Sequence, residues 1–365
     1  MKYSLRLGNI FGIKVQIHWT FLILLGWFVF SNMRAGSGAE QTMWSVLFIL
    51  TIFACVTLHE FGHALAAKRF GIKTKDITLL PIGGLARLES IPENPREELI
   101  VAIAGPLVNI LIVAALYPIV HFTSDVTSSI QQLSAITSAN FLFNLMFINL
   151  WLAVFNLIPA FPMDGGRVLR ALLSFNMERH KATATASRIG QLLAIGFVIL
   201  GFFSNPFLIF IGLFIFLGAQ AVAEYTQSKS ILKGFTVNDV LMKQYQTISS
   251  GETIKAAVTM LLNGQCKSFL VTDNGQAVGT LNHDEIIKAL SSQGENSINH
   301  NVMNKEILFL KAEMPLEEAW QLMQKHKTLM PVFTVDKLVR TLDTENVLEF
   351  FMVKRCNNQR IIYYE

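Results

Sequence analysis

Apolar residues in the first part of the chain come in long unbroken runs. Six of them, 16–33, 43–67, 99–120, 138–158, 188–204 and 206–225, read as helices that cross a bilayer, because about 20 mostly apolar residues span its hydrocarbon layer. Only Ser204, Asn205 and Pro206 separate the last two, which predicts a tight hairpin. Two connections are not ordinary loops. Residues 76–91, DITLLPIGGLARLESI, hold short strand-like stretches around Gly83 and Gly84. Extended backbone at membrane depth is tolerated only where protein or a water-filled cavity surrounds it, so a re-entrant hairpin or small membrane-embedded sheet is expected. Residues 159–173, PAFPMDGGRVLRALL, end the fourth run with Pro159 and Pro162 before a new helix starts near Asp164.

Composition supports a division near Ser228. The 365 residues are 52% hydrophobic and 15% charged, against about 25% charged in ordinary soluble domains. Residues 1–228 carry 15 Lys/Arg and 11 Asp/Glu, whereas the remaining 137 residues carry 15 of each. The net charge of +4 is modest and comes from the apolar part, which excludes a nucleic-acid-binding face and reads as a topology signal. Alternate connections between the runs hold 14 Lys/Arg against 1. This asymmetry predicts a multi-pass protein of the cell membrane with both termini, and the soluble part, in the cytoplasm. Cys55, Cys266 and Cys356 are odd in number and far apart, so free thiols in a reducing compartment are expected. The N-terminal residues lack the pattern of a removable signal peptide.

The second run contains His59-Glu60-Phe61-Gly62-His63. On a helix, two histidines at i and i+4 share a face and can bind one zinc ion, with the glutamate between them placed to act on water at the metal. Three ionisable residues within an apolar span are costly, which favours a functional reading over coincidence. A catalytic zinc commonly takes three protein ligands. Asp164, the only acidic residue between Asp125 and Glu178, is the best third ligand and also suits a helix N-cap. Asn156 is placed to donate a hydrogen bond to a scissile carbonyl or oxyanion, although interhelical bonding explains it nearly as well. That second reading is the stronger one for Asn140, Asn144 and Asn149.

The HEFGH segment, IAGPLVN at 103–109 and FNLIPAFPMDGG at 155–166 together resemble the site-2 protease family of intramembrane zinc metalloproteases, over about residues 1–225. The resemblance implies one zinc per chain on His59, His63 and Asp164, Glu60 as catalytic acid/base and Asn156 as a substrate or oxyanion contact. It implies a substrate bond in or near the transmembrane segment of another membrane protein. Met163 stands where family members often have leucine, with no consequence for the metal. The PIGG segment resembles the family's strand region near the active site. Gly83, Gly84 and Leu85 are therefore expected to bind an unwound substrate by strand addition, the other reading being a simple tight turn.

Residues 237–290 and 299–353 repeat weakly at an offset of 61 to 62. Ile254-Lys255-Ala256-Ala257 aligns with Leu316-Glu317-Glu318-Ala319, and Thr280-Leu281 with Thr341-Leu342. Each unit reads strand, helix, two strands, helix, and resembles a cystathionine-beta-synthase-type (CBS) domain. Ligand-binding CBS copies usually end their strand pair with Ser or Thr followed three residues later by Asp, whereas Asn282 with Glu285 and Asp343 with Asn346 stand here. Adenine-nucleotide binding is thus expected to be weak or absent, with no organic cofactor site. The expected architecture is a polytopic α-helical membrane protein with a small strand region (1–228), fused to a soluble α/β tandem CBS module (229–365) able to form a homodimer. A CBS-gated transporter or channel that binds zinc without proteolysis is the alternative function.

Overall fold

The computed structural model describes residues 4–81, 83–123, 136–242, 245–264, 267–326, 329–334 and 337–362, and the chain divides into two compact units, Met1–Glu224 and Tyr225–Glu365. The first unit opens with two antiparallel strands, β1 (Ser4–Ile10) and β2 (Ile13–His18). Phe11 and Gly12 turn between them with positive φ. The apolar run expected from residue 16 therefore starts later, as helix α1 (Trp19–Arg34), whose N-terminus His18 caps by accepting from the Thr20 N–H. The cause is a change of period. Val15 and Ile17 alternate with Lys14, Gln16 and His18, a strand signal that merges with the apolar helix after it.

There follow α2 (Ala39–Arg69), β3 (Thr74–Leu80), β4 (Gly83–Leu88), α3 (Pro95–Thr123), α4 (Phe141–Asn156), α5 (Asp164–Leu173), α6 (Arg179–Phe203) and α7 (Phe207–Leu232). Four of these, α2, α3, α6 and α7, are long and apolar enough to cross a membrane. The other two expected spans, α1 and α4, have 16 residues each, or about 24 Å at 1.5 Å per residue. Both fall short of the roughly 30 Å hydrocarbon layer.

The strand region around Gly83 is larger than the sequence indicated, because the N-terminal hairpin joins it. The sheet runs β1-β2-β3-β4, with β2 parallel to β3 and the outer pairs antiparallel. On one face Ile13, Val15 and Ile77 pack with Phe61 and Ala64 of α2, and Ala86 closes the cluster. Burying each large side chain contributes about 1.5–3 kcal/mol. Those contacts seat the turn of α2 that carries Glu60 and His63 on the sheet.

In the second unit a short helical turn, Val237–Val240, precedes β5 (Thr247–Ser249), α8 (Ile254–Asn263), β6 (Ser268–Asp273), β7 (Gln276–Asn282) and α9 (His283–Gln293). A second turn, α10 (Asn299–Val302), precedes β8 (Leu310–Lys311), α11 (Leu316–His326), β9 (Met330–Thr334), β10 (Lys337–Leu342) and α12 (Thr344–Ile362). The sheets β5-β6-β7 and β8-β9-β10 share one topology, with the first pair parallel and the second antiparallel. The leading turns are exchanged. Val237 and Val240 pack in the core of the second repeat with Leu310, Leu316 and Leu342, while Met303 packs in that of the first with Ile248, Phe269 and Leu281. Backbone bonds between Asn304 and Thr280, at 2.9 and 3.0 Å, and from the Met242 N–H to the Thr341 carbonyl at 3.1 Å lock the exchange. Cys55 is buried and free. Cys266 and the side chain of Cys356 lie outside the described residues.

Candidate metal centre

His59 and His63 stand one turn apart on α2, with their Nε2 atoms 3.1 Å from each other. Asp164 is the first residue of α5, and its Oδ2 lies 3.0 Å from His63 Nε2 and 3.2 Å from His59 Nε2. All three are buried. The structure thus brings together the three residues that the sequence suggested as ligands, from two elements far apart in the chain.

The donor set fits a metal ion. The Nδ1 of His63 lies 2.7 Å from the Val101 carbonyl oxygen and that of His59 lies 2.6 Å from Asn109 Oδ1. A carbonyl only accepts, so each Nδ1 carries the hydrogen and each Nε2 presents a lone pair. Two lone pairs and a carboxylate oxygen then converge within about 3 Å, an arrangement that repels itself unless a cation sits among them. Ligands held at about 2.0–2.1 Å around a tetrahedral zinc are separated by about the same amount. Gly105 of α3 makes room, since a Cβ there would lie 2.2 Å from His63 Nε2 and 2.7 Å from His59 Nε2.

Asp164 is delivered by the break between α4 and α5. Ala160 and Met163 anchor that break against Ala194 and Ile215. Beyond it, Arg170 of α5 pairs with Glu98 of α3, both almost wholly buried, through a bond from Nε at 2.9 Å. Arg179, at the start of α6, adds a second contact to Glu98 at 3.1 Å. Removing one partner of such a buried pair costs about 3–5 kcal/mol, so this cluster fixes α5 against α3 and α6. The sequence reading missed it, having counted both arginines as topology charges. Arg167 also reaches the other Asp164 oxygen at 3.7 Å.

Glu60 is half-buried, and its Oε2 accepts the Ala86 N–H of β4 at 3.2 Å. Gly84 permits the close approach, because a Cβ there would lie 2.7 Å from Glu60 Cγ. Bonding directions alternate along an antiparallel strand. The backbone groups of Gly84 and Ala86 therefore face the outer edge of β4, and those of Leu85 face β3. Gly83 has φ +138°, and the Leu85 side chain is exposed. Asn156 is the half-buried last residue of α4 and makes no side-chain hydrogen bond among the described residues. Asn109, Val101 and Gly105 were not singled out as site residues, although the motif IAGPLVN contains two of them.

Residues 47–201 match the model of peptidase family M50, and residues 237–292 and 299–352 each match the CBS domain model. The chain is 36% identical to "Zinc metalloprotease MJ0392" of Methanocaldococcus jannaschii over 79% of its own length and 80% of that protein's. It is 29% identical to "Putative zinc metalloprotease sll0528" of Synechocystis, over 96% of both chains. Among solved structures, "Site-2 Protease from Methanocaldococcus jannaschii" is 38% identical, covering 60% of this chain and 95% of that one, with a TM-score of 0.45. With 36% identity to a zinc metalloprotease across 80% of that protein's length, the chain belongs to peptidase family M50, the site-2 protease family, and carries a tandem CBS pair.

Proposed function

We propose that residues 1–228 cut a peptide bond in or near the transmembrane segment of a membrane-protein substrate, and that residues 229–365 position or regulate this activity. The observation that carries the reading is the buried convergence of His59, His63 and Asp164 beside Glu60, with both histidines and Glu60 on a helix apolar enough to cross a bilayer. The three ligands would hold one zinc. When bound, it supplies Lewis-acid polarisation of water and of the scissile carbonyl.

The chain's own residues do the rest. Glu60 takes a proton from the attacking water on a carboxylate oxygen and returns it to the leaving amine nitrogen. Asn156 donates a side-chain N–H to the scissile carbonyl oxygen as negative charge develops there. The burial of the three ligands limits bulk water at the site. A transmembrane helix must lose its internal hydrogen bonds before its carbonyls can be reached, and the edge strand that carries Gly83, Gly84 and Leu85 supplies replacements by strand addition, through the outward backbone groups of Gly84. Ala86 lies on the same edge, where its N–H donates to Glu60 and so ties the strand to the proposed acid/base. The loop asymmetry supports cytoplasmic termini.

The CBS pair is proposed to act structurally, by dimerisation or substrate placement, with weak or no adenine-nucleotide binding. Asn282 and Glu285 close the N-terminus of α9 by exchanging hydrogen bonds at 2.9 and 2.8 Å, and Asp343 accepts the Asn346 N–H at 2.9 Å. Three of the four side chains at the positions that CBS ligand sites use, those of Asn282, Glu285 and Asp343, are thus spent on capping. Calorimetric titration of the full chain with ATP, ADP and AMP should show no low-micromolar binding, and such binding coupled to the cleavage rate would overturn this part.

Cleavage itself is tested by reconstituting the protein with single-span reporter proteins in lipid vesicles and locating cuts by mass spectrometry. Cuts within or next to the apolar segment, abolished by a zinc chelator and restored by zinc, are expected. Zinc movement across the vesicle without any cut would contradict the reading.

A further inference from the structure

Asn109 of α3 and Asn149 of α4 are wholly buried in apolar helices. A buried amide is costly unless its groups are bonded, and these two are bonded in series. His59 Nδ1 lies 2.6 Å from Asn109 Oδ1, Asn109 Nδ2 lies 2.9 Å from Asn149 Oδ1, and Asn149 Nδ2 lies 2.8 Å from the Leu145 carbonyl oxygen. The far end sets the direction of the whole series. The Leu145 carbonyl can only accept, so Asn149 must present its NH₂ there and its oxygen to Asn109. Asn109 must then present its NH₂ to Asn149 and its oxygen to His59. His59 is left with hydrogen on Nδ1 and a lone pair on Nε2, facing Asp164 and His63.

We infer that Asn109 and Asn149 are positioning residues, a polar relay that fixes the ring and tautomer of His59 so that its Nε2 is ready to bind metal. His63 reaches the same state through one backbone carbonyl. For His59 the path runs through two amides and ends on α4 at the Leu145 carbonyl. Asn149 touches no ligand, yet without it Asn109 is free to turn its NH₂ toward Nδ1, which selects the tautomer with hydrogen on Nε2. A role as simple glue between helices predicts no such effect on the metal.

The inference rests on His59 being a metal ligand, and the experiment separates the two. Zinc affinity is measured on the full-length protein by chelator competition, alongside the visible spectrum of the cobalt-loaded form. Asn109→Leu and Asn149→Ala should each weaken zinc by about 10- to 100-fold, the usual effect of losing a ligand's orienting partner, and alter the cobalt spectrum. Asn109→Asp keeps an acceptor for Nδ1–H and should restore most of the affinity. Parent-like affinity and spectrum in a folded Asn109→Leu protein would overturn the relay, and if that variant does not fold, the same result in Asn149→Ala does so. Retention of zinc by His59→Ala would instead show that the ligand assignment itself is wrong.

Discussion

Ala86 donates its backbone N–H to the carboxylate of Glu60 across 3.2 Å. The residue expected to move protons and the strand edge expected to hold substrate are therefore in direct contact. Whether β4 serves as a docking edge can be tested through its backbone alone. Ala86→Pro removes the outward N–H that Glu60 accepts and should slow cleavage of a membrane-spanning substrate while zinc stays bound. Loss of one net hydrogen bond of about 1 kcal/mol corresponds to roughly fivefold in kcat/KM. Leu85→Pro removes an N–H that faces β3, so it should lower thermal stability instead. Equal kinetic effects from the two variants would argue against edge pairing.

Gly105 gives a steric test of the ligand geometry. The Cβ of Gly105→Ala would lie 2.2 Å from His63 Nε2, so the imidazole must move. Zinc affinity by chelator competition should fall by at least about tenfold, on the scale of changes that misorient a ligand. Unchanged affinity would mean that the two imidazoles do not bind metal in this arrangement.

The CBS unit should have an acid-favoured stability profile. Burial pushes the Glu285 and Asp343 carboxyls above their usual values. The folded state then binds more protons than the unfolded chain between the ordinary carboxylate range and the raised values. Stability rises as pH falls through that window and levels off below it. Trp320, the only tryptophan after residue 228, reports this by fluorescence when the other four are replaced with Phe. The gain should disappear in the Glu285→Gln, Asp343→Asn double variant, and a profile that instead loses stability over that window would contradict the assignment.

The parts that were legible in the sequence are those whose signal is local. The spacing of His59 and His63 follows from one helical turn, and Asp164 was conspicuous as an acid inside a Pro/Gly-rich break. The repeat in the second half carried its element order openly. What was missed depends on partners distant in sequence. β1 is mostly exposed and β2 is short and runs straight into an apolar helix, and the hairpin is held in the sheet by the pairing of β2 with β3. Glu98, Arg170 and Arg179 resemble loop charges until α3, α5 and α6 pack together. Asn149 reads as interhelical glue until its place behind Asn109 and His59 is known. The substrate edge is expected at Gly83, Gly84 and Leu85 without reference to Ala86, because the phase of a strand's bonding cannot be read from its side chains alone.

The central claim is that Glu60 carries out the proton transfers of peptide hydrolysis beside a metal that it does not hold. Glu60→Gln keeps the shape of the side chain and removes its ability to take up a proton. Zinc content and cleavage rate of this variant, measured on one preparation against a transmembrane reporter, test the claim most directly. The account predicts parent-like zinc with cleavage reduced by about a hundred- to ten-thousandfold. A variant that cleaves at the parent rate while holding its zinc would contradict it.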